Sequence, residues 1–260
     1  MHRNGWRTIT VTTGLSWLMK LMMTGLIPYE ISRGEYLFVV GTVAAVGISL
    51  VPSIVERNYR VTLPFELDLL ITLSLFLHTF LGEGMDFYQR FHHWDKLLHL
   101  YGGSVVAVLG FVTVYTLHYT RKVRLSIPLI GFFTIIFALA VGALWEIGEF
   151  TVDSIFIRHT QDDLPDTMWD LIDDLIGGTM AAGLGMLYVR YTNKAARKRL
   201  ARPLGEVFGL GARIDRVRQR FKRRKHSRHY DAEQAQGGPN GTRIPATDKK
   251  KPGAPPDVNH

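Results

Sequence analysis

The chain has 260 residues, 47% of them hydrophobic and 21% charged, with a formal net charge of +8 and no cysteine. The missing cysteines exclude disulfides, thiolate metal sites, cysteine nucleophiles and c-type haem attachment. Apolar residues crowd before Tyr191 and charge crowds after it, so the positive excess describes a tail and not the body.

Six apolar stretches are each long enough for a helix to cross the hydrocarbon, which takes about 20 residues. The first runs from Ile9 to Ile27 and is interrupted by Lys20. It has no small-residue cleavage site before the next polar loop, so it reads as a span and not as a signal peptide. The second runs from Tyr36 to Val55. The third runs from Leu63 to Leu81, with Glu66 and Asp68 near its start. The fourth covers Asp95 to His118, the fifth Ile127 to Phe150 and the sixth Thr167 to Tyr191. The expected fold class is therefore all-α, a polytopic six-helix membrane bundle over residues 1–192.

Loop charge orients the bundle. Arg3 and Arg7 precede the first segment, and Arg57 and Arg60 follow the second. Arg121, Lys122 and Arg124 follow the fourth, and Lys194, Arg197, Lys198 and Arg199 follow the sixth. All four groups fall on one side, which the excess of Lys and Arg in short cytoplasmic loops makes the inner side. Both termini are then cytoplasmic. The opposite side carries Glu83, Asp86, Asp153, Asp162, Asp163 and Asp166 against Arg90 and Arg158.

Residues 193–230 form a basic juxtamembrane segment. Val207, Leu210, Ile214, Val217 and Phe221 recur at helical spacing among Arg213, Arg216, Arg218, Arg220 and Lys222. That pattern suits a helix lying on anionic inner-leaflet lipids, and a membrane-tethered tail needs no nucleic acid as partner. Residues 231–260 keep no apolar period and read as disordered.

Three motifs carry the chemistry. In HHWDKLLHLYGG, Asp95 and His99 are four apart on one helix face. In LWEIGEF, Glu146 and Glu149 are three apart. In PDTMWDLIDDLIGG, Asp166, Asp170 and Asp173 or Asp174 step along one face, and His78 stands near the end of the third segment. Topology brings these to one end of the bundle.

Each has a structural alternative. Asp95, Asp166 or Thr167 can cap a helix, Asp170 can favour a positive N-terminus, and Lys96 can snorkel outward. The tryptophans Trp94, Trp145 and Trp169 suit interface anchors, and His92 and His93 suit an exposed loop. Glu146, Glu149, Asp173 and Asp174 resist such readings. The first pair lies toward a helix C-terminus, where the dipole disfavours negative charge, and the second lies two turns inside a span. Like charges this close must be protonated, paired or hydrated. A divalent metal would resolve the excess, and carboxylate oxygens with imidazole are ligands of that kind. The expected metal set is His99, Glu146, Asp170, Asp166, Asp174 and His78, with Glu149 or Asp95 as general base. Gly102, Gly103, Gly177, Gly178, Ala181, Ala182 and Gly185 would let helices approach closely.

WDKLLHLYGG, LWEIGEF and DTMWDLIDDLIGG, in this order on successive helices, resemble the YjdF-type family of bacterial inner-membrane proteins, a domain of unknown function. A more distant similarity is to VanZ-like membrane proteins, which pair an Asp-Lys-x-x-His motif with a later Glu and an Asp-rich helix. Glu149 stands where the VanZ-like pattern has Gln. The resemblance implies a membrane location and a shared site at Asp95, His99, Glu146, Glu149, Asp166 and Asp170. It implies no particular reaction. Three functions remain open: a metal-dependent enzyme on lipid or lipid-linked headgroups, a structural or accessory protein, and an ion or proton-coupled transporter. The last would draw on Lys20, Glu66, Asp68 and His118 for its inner half.

Overall fold

The computed structural model describes residues 11–156 and 163–209. They contain helices and no strand. The helices are α1 (Val11–Arg33), α2 (Tyr36–Tyr59), α3 (Leu67–Phe76), α4 (Phe87–Arg90), α5 (Trp94–Tyr119), α6 (Ile127–Phe156), α7 (Leu164–Tyr191) and α8 (Lys194–Val207). A 3₁₀ turn, Pro64–Glu66, leads into α3, and a π-helical stretch, Leu77–Glu83, continues it.

Four stretches are long and apolar enough to cross a membrane: Tyr36–Tyr59, Pro64–Glu83, Trp94–Tyr119 and Ile127–Phe156. The first and sixth segments also form long helices, α1 and α7. They carry Lys20, Glu30 and Arg33 in one and Asp166, Asp170, Asp173, Asp174 and Arg190 in the other, which lowers their apolar character. Lys20, Glu30, Asp166 and Asp174 each meet a partner on another helix.

Two sets of three helices build the body. α1, α2 and α3 pack together, α5, α6 and α7 pack together, and α3 lies against α5. In the second set small residues set the distance. A Cβ on Gly177 would strike the Leu100 carbonyl oxygen, and one on Gly185 would meet the Phe111 ring at 2.8 Å. These glycines therefore act as packing surfaces, as small-residue spacing in membrane helices suggests.

Short turns join the helices by side chains. Glu56 accepts from the Leu63 amide at 2.8 Å between α2 and α3, and His118 Nδ1 accepts from the Leu125 amide at 3.1 Å between α5 and α6. His118 thus serves a turn. Lys20, another candidate for an ion pathway, is buried and reaches Asp68 at 2.9 Å and Ser53 at 3.0 Å; Glu66 is exposed.

Asp163 caps α7: its carboxylate accepts from the Asp166 amide at 2.9 Å. The cap is three residues earlier than the sequence suggests, and this frees the Asp166 side chain for Lys96. Asp163→Ala is expected to cost about 1 kcal/mol, the usual value of such a cap. Thermal unfolding in detergent measures it, and an unchanged midpoint would contradict the capping role.

α8 turns back beneath the bundle. Asn193 caps it by accepting from the Ala196 amide at 2.9 Å. Its buried face, Leu200, Ala201 and Leu204, joins Leu63, Leu67, Phe111, Val112, Tyr115, Ile130 and Val189 in the largest apolar core. This helix precedes the expected surface helix. Of the apolar positions of that stretch only Val207 is described; Leu210 to Phe221, and the region read as disordered, lie outside the described residues.

Candidate functional site

α5, α6 and α7 converge on His99. It stands in the second turn of α5, four residues after Asp95, and is 8% exposed. Its Nδ1 lies 3.4 Å from Asp174 Oδ2 on α7. Its Nε2 lies 3.5 Å from Glu146 Oε1 on α6 and 3.9 Å from Asp95 Oδ1 on its own helix. Donor atoms of Asp95, His99 and Asp170 all fall within 4.8 Å of one another. Asp170 and Asp174 are four apart on one face of α7, and both are buried. Asp170 Oδ1 is buried without a hydrogen-bond partner.

Local structure explains how these groups reach one place. Asp95 sits in the first turn of α5, where the helix N-terminus favours a carboxylate. α6 runs on to Phe156, so Glu146 is mid-helix and the unfavourable C-terminal dipole does not act on it. Asp174 fits because two helices lack side chains there. A Cβ on Gly103 would come within 2.6 Å of Asp174 Oδ1, and one on Gly142 would overlap Oδ2. Gly103 was visible as a small residue near the motif. The role of Gly142 follows only from the fold, since it lies one turn before Glu146 in an ordinary apolar run.

The two faces of the imidazole differ. Asp174 can hold a proton on Nδ1, which leaves the Nε2 lone pair directed toward Asp95 and Glu146. Histidines that bind a metal through one nitrogen commonly donate the other N–H to a carboxylate. The Nε2 distances are longer than hydrogen bonds but close to the roughly 3–3.5 Å separation of two ligands about 2.1 Å from one cation.

The other expected residues lie nearby in separate contacts. Asp166 pairs with Lys96 at 3.1 Å. Glu149 accepts from Trp145 Nε1 at 3.1 Å along α6. His78 Nδ1 lies 2.5 Å from the Tyr88 hydroxyl, and its Nε2 lies 3.6 Å from Glu83. Asp173 is half-buried, one position from the inward pair. His92 and His93 are exposed.

Tyr88, on α4, is the partner of His78. It reaches His78 because Gly82 leaves room for its ring; a Cβ there would collide with it. Burial, then the Asp95 and Glu83 charges, push its phenol well above the usual value, so it stays protonated. Donation from Tyr88 to Nδ1 and a proton on Nε2 facing Glu83 satisfy both contacts of His78.

A cavity of about 330 Å³ opens beside this cluster. Its polar end includes His78, Tyr88, Asp95, His99, Trp145 and Asp174; its remaining wall is aliphatic side chains and glycines, with Ser74.

An all-helical bundle with several membrane-length apolar helices and a buried Asp and His cluster defines a helical membrane protein. Residues 14–191 match the family described as "Predicted membrane protein (DUF2238)". The match covers more than half of the chain, which belongs to this family. The chain is also 37% identical over 129 residues to an uncharacterized protein of Thermotoga maritima. That stretch covers 48% of this chain and 65% of the relative, so the chain spans just under two thirds of the relative's length. No solved structure matches.

Proposed function

We propose that the chain is a bacterial inner-membrane protein of six spans with both termini cytoplasmic, and that it is a metal-dependent enzyme acting on lipid or lipid-linked headgroups at the outer leaflet. The basic tail would rest on anionic inner-leaflet lipids. α1 and α7 would complete the six spans, their charged groups covered by neighbours. The three motifs shared with the YjdF type all contribute to the cluster.

The observation that carries the enzyme reading is the convergence of Asp95, His99 and Asp170 from two helices, with Asp170 Oδ1 buried and lacking a hydrogen-bond partner. Such a donor set suits a first-row divalent cation. When bound, a cation of this kind polarises a phosphoryl or carbonyl oxygen and lowers the pKa of water. Asp174 would hold the His99 tautomer, and Glu146 stands on the cation side of the imidazole. Glu149, one turn further along α6, is the candidate general base. In this reading Asp95 serves as a ligand and not as the base.

Titration of the purified protein in detergent with Mn²⁺ or Zn²⁺ tests this reading. One saturable equivalent is expected. Asp95→Asn with Asp170→Asn should abolish it, and Asp174→Asn should weaken it by about 10–100-fold through the histidine. Asp166→Asn should bind as the wild type does. Absence of saturable binding, or full binding by the double variant, would reject the assignment. A second reading, a helix-orienting accessory role, is favoured by one fact: a single imidazole faces carboxylates from all three of α5, α6 and α7. It would be left standing by that negative result.

A further inference from the structure

We propose that the cavity between α3 and α6 holds one hydrocarbon chain of a membrane amphiphile, with a phosphate-bearing headgroup at the Asp95–His99 end. The headgroup part rests on the cation reading above; the chain part is independent of it.

The shape comes from the packing. α3 and α6 both lie against α5, and the cavity occupies the crevice between them, with α5 as its floor. Ile71, Leu75, Val106, Leu109 and Val141 form aliphatic walls. Gly102 keeps the floor open: a Cβ there has only Ser74 Oγ nearby, at 3.6 Å. At about 330 Å³ the space lies within the usual range of small-molecule pockets.

The lining determines the occupant. An aliphatic pocket offers water too few polar partners, and an empty one forfeits dispersion contacts. A hydrocarbon chain recovers those contacts at no desolvation cost, and the bilayer supplies chains at very high concentration. Ile48 lines the cavity yet is 54% exposed, so the crevice reaches the outer surface of the bundle on the α2 side. Across the polar end, the rings of His78 and Trp145 meet edge to face, 5.0 Å between centroids, and link the α3 line to α6. Entry is therefore lateral, from the membrane, beneath this aromatic link. A chain entering there brings its headgroup to Asp95, His99 and Asp174. A cation at Asp95, His99 and Asp170 would give a phosphate the positive charge this acidic end otherwise lacks.

The test uses dodecyl phosphate with a diazirine midway along its chain, photolysed with the full-length protein in detergent. Cross-linked peptides are mapped by mass spectrometry. Labels are expected on cavity residues of α3, α5 and α6. Excess unlabelled dodecyl phosphate, which competes for the space, and either Gly102→Leu or Val106→Phe, which fills it, should each cut labelling by about tenfold, equivalent to about 1.4 kcal/mol. The competition arm uses wild-type protein and needs no variant to fold. The diazirine-bearing dodecanol, with and without divalent cation, separates chain from headgroup: cation-dependent preference for the phosphate supports the headgroup part, and equal labelling overturns it. Non-saturable labelling, or labels only on outward residues such as Leu144 and Ile147, overturns the proposal. Metal titration on the same samples keeps the two readings apart. Cavity labelling without metal binding defeats only the cation site, and metal binding without cavity labelling defeats the lipid site.

Discussion

Gly142→Ala is expected to unseat the Asp174 carboxylate and destabilise the bundle by about 1–3 kcal/mol, the usual range for overpacking a filled interior. The added methyl would occupy the position of Asp174 Oδ2. A carboxylate at the end of a side chain can often swing away, but this one is enclosed. Gly103 approaches its other oxygen, and Asp174 is only 3% exposed. Any movement also loses the approach to His99 Nδ1 at 3.4 Å. The signature is non-additivity. Once Asp174 is replaced by Ala, Gly142→Ala should become nearly silent, because the atom it strikes is gone. Thermal unfolding of the two single variants and the double variant measures the coupling. Strictly additive shifts would mean that Gly142 does not seat the aspartate.

Asp68→Ala is expected to be more damaging than Lys20→Met, although both break the same ion pair. Lys20 is 2% exposed and its ammonium has two side-chain acceptors, Asp68 at 2.9 Å and Ser53 at 3.0 Å. Losing Asp68 strands a buried cation beside one hydroxyl, and breaking a buried pair in this way costs about 3–5 kcal/mol. Losing Lys20 leaves Asp68 with hydroxyl donors from Ser16 at 2.5 Å and Ser53 at 2.6 Å, so the cost falls to about 1–3 kcal/mol. Replacing both, Lys20→Met with Asp68→Leu, should recover most of the stability because no charge is left uncompensated. Detergent unfolding of the three proteins tests the order. If Lys20→Met is the worst of the three, the pair is not organised as described.

The pair also shows how a polar residue in an apolar segment is to be read. Lys20 interrupts the first apolar stretch, and hydropathy penalises it there. Its partners come from α2 and α3, so its cost is met by residues 33 and 48 positions away. Glu30, near the C-terminal end of α1, is partnered in part: one oxygen accepts from Thr42 on α2 at 2.7 Å, and its Oε2 is buried without a hydrogen-bond partner.

Several features followed from the sequence by itself. Helical periodicity and apolar length located α2, α5 and α6, because an apolar run of about 20 residues can be read from one segment taken alone. The antiparallel order of consecutive helices then placed Asp95, Glu146, Asp170 and Asp174 at one end, since short loops leave no other arrangement. Rotation about each helix axis and the distance between axes were decided only by tertiary packing. Asp170 and Asp174 face inward while Asp173 is turned aside, and Asp166 leaves the cluster for Lys96. His99 stands at the centre because Gly103 and Gly142 let α7 bring its carboxylate between α5 and α6. Such contacts depend on side-chain volumes on three separate helices at once, and periodicity along any one of them carries no trace of the other two.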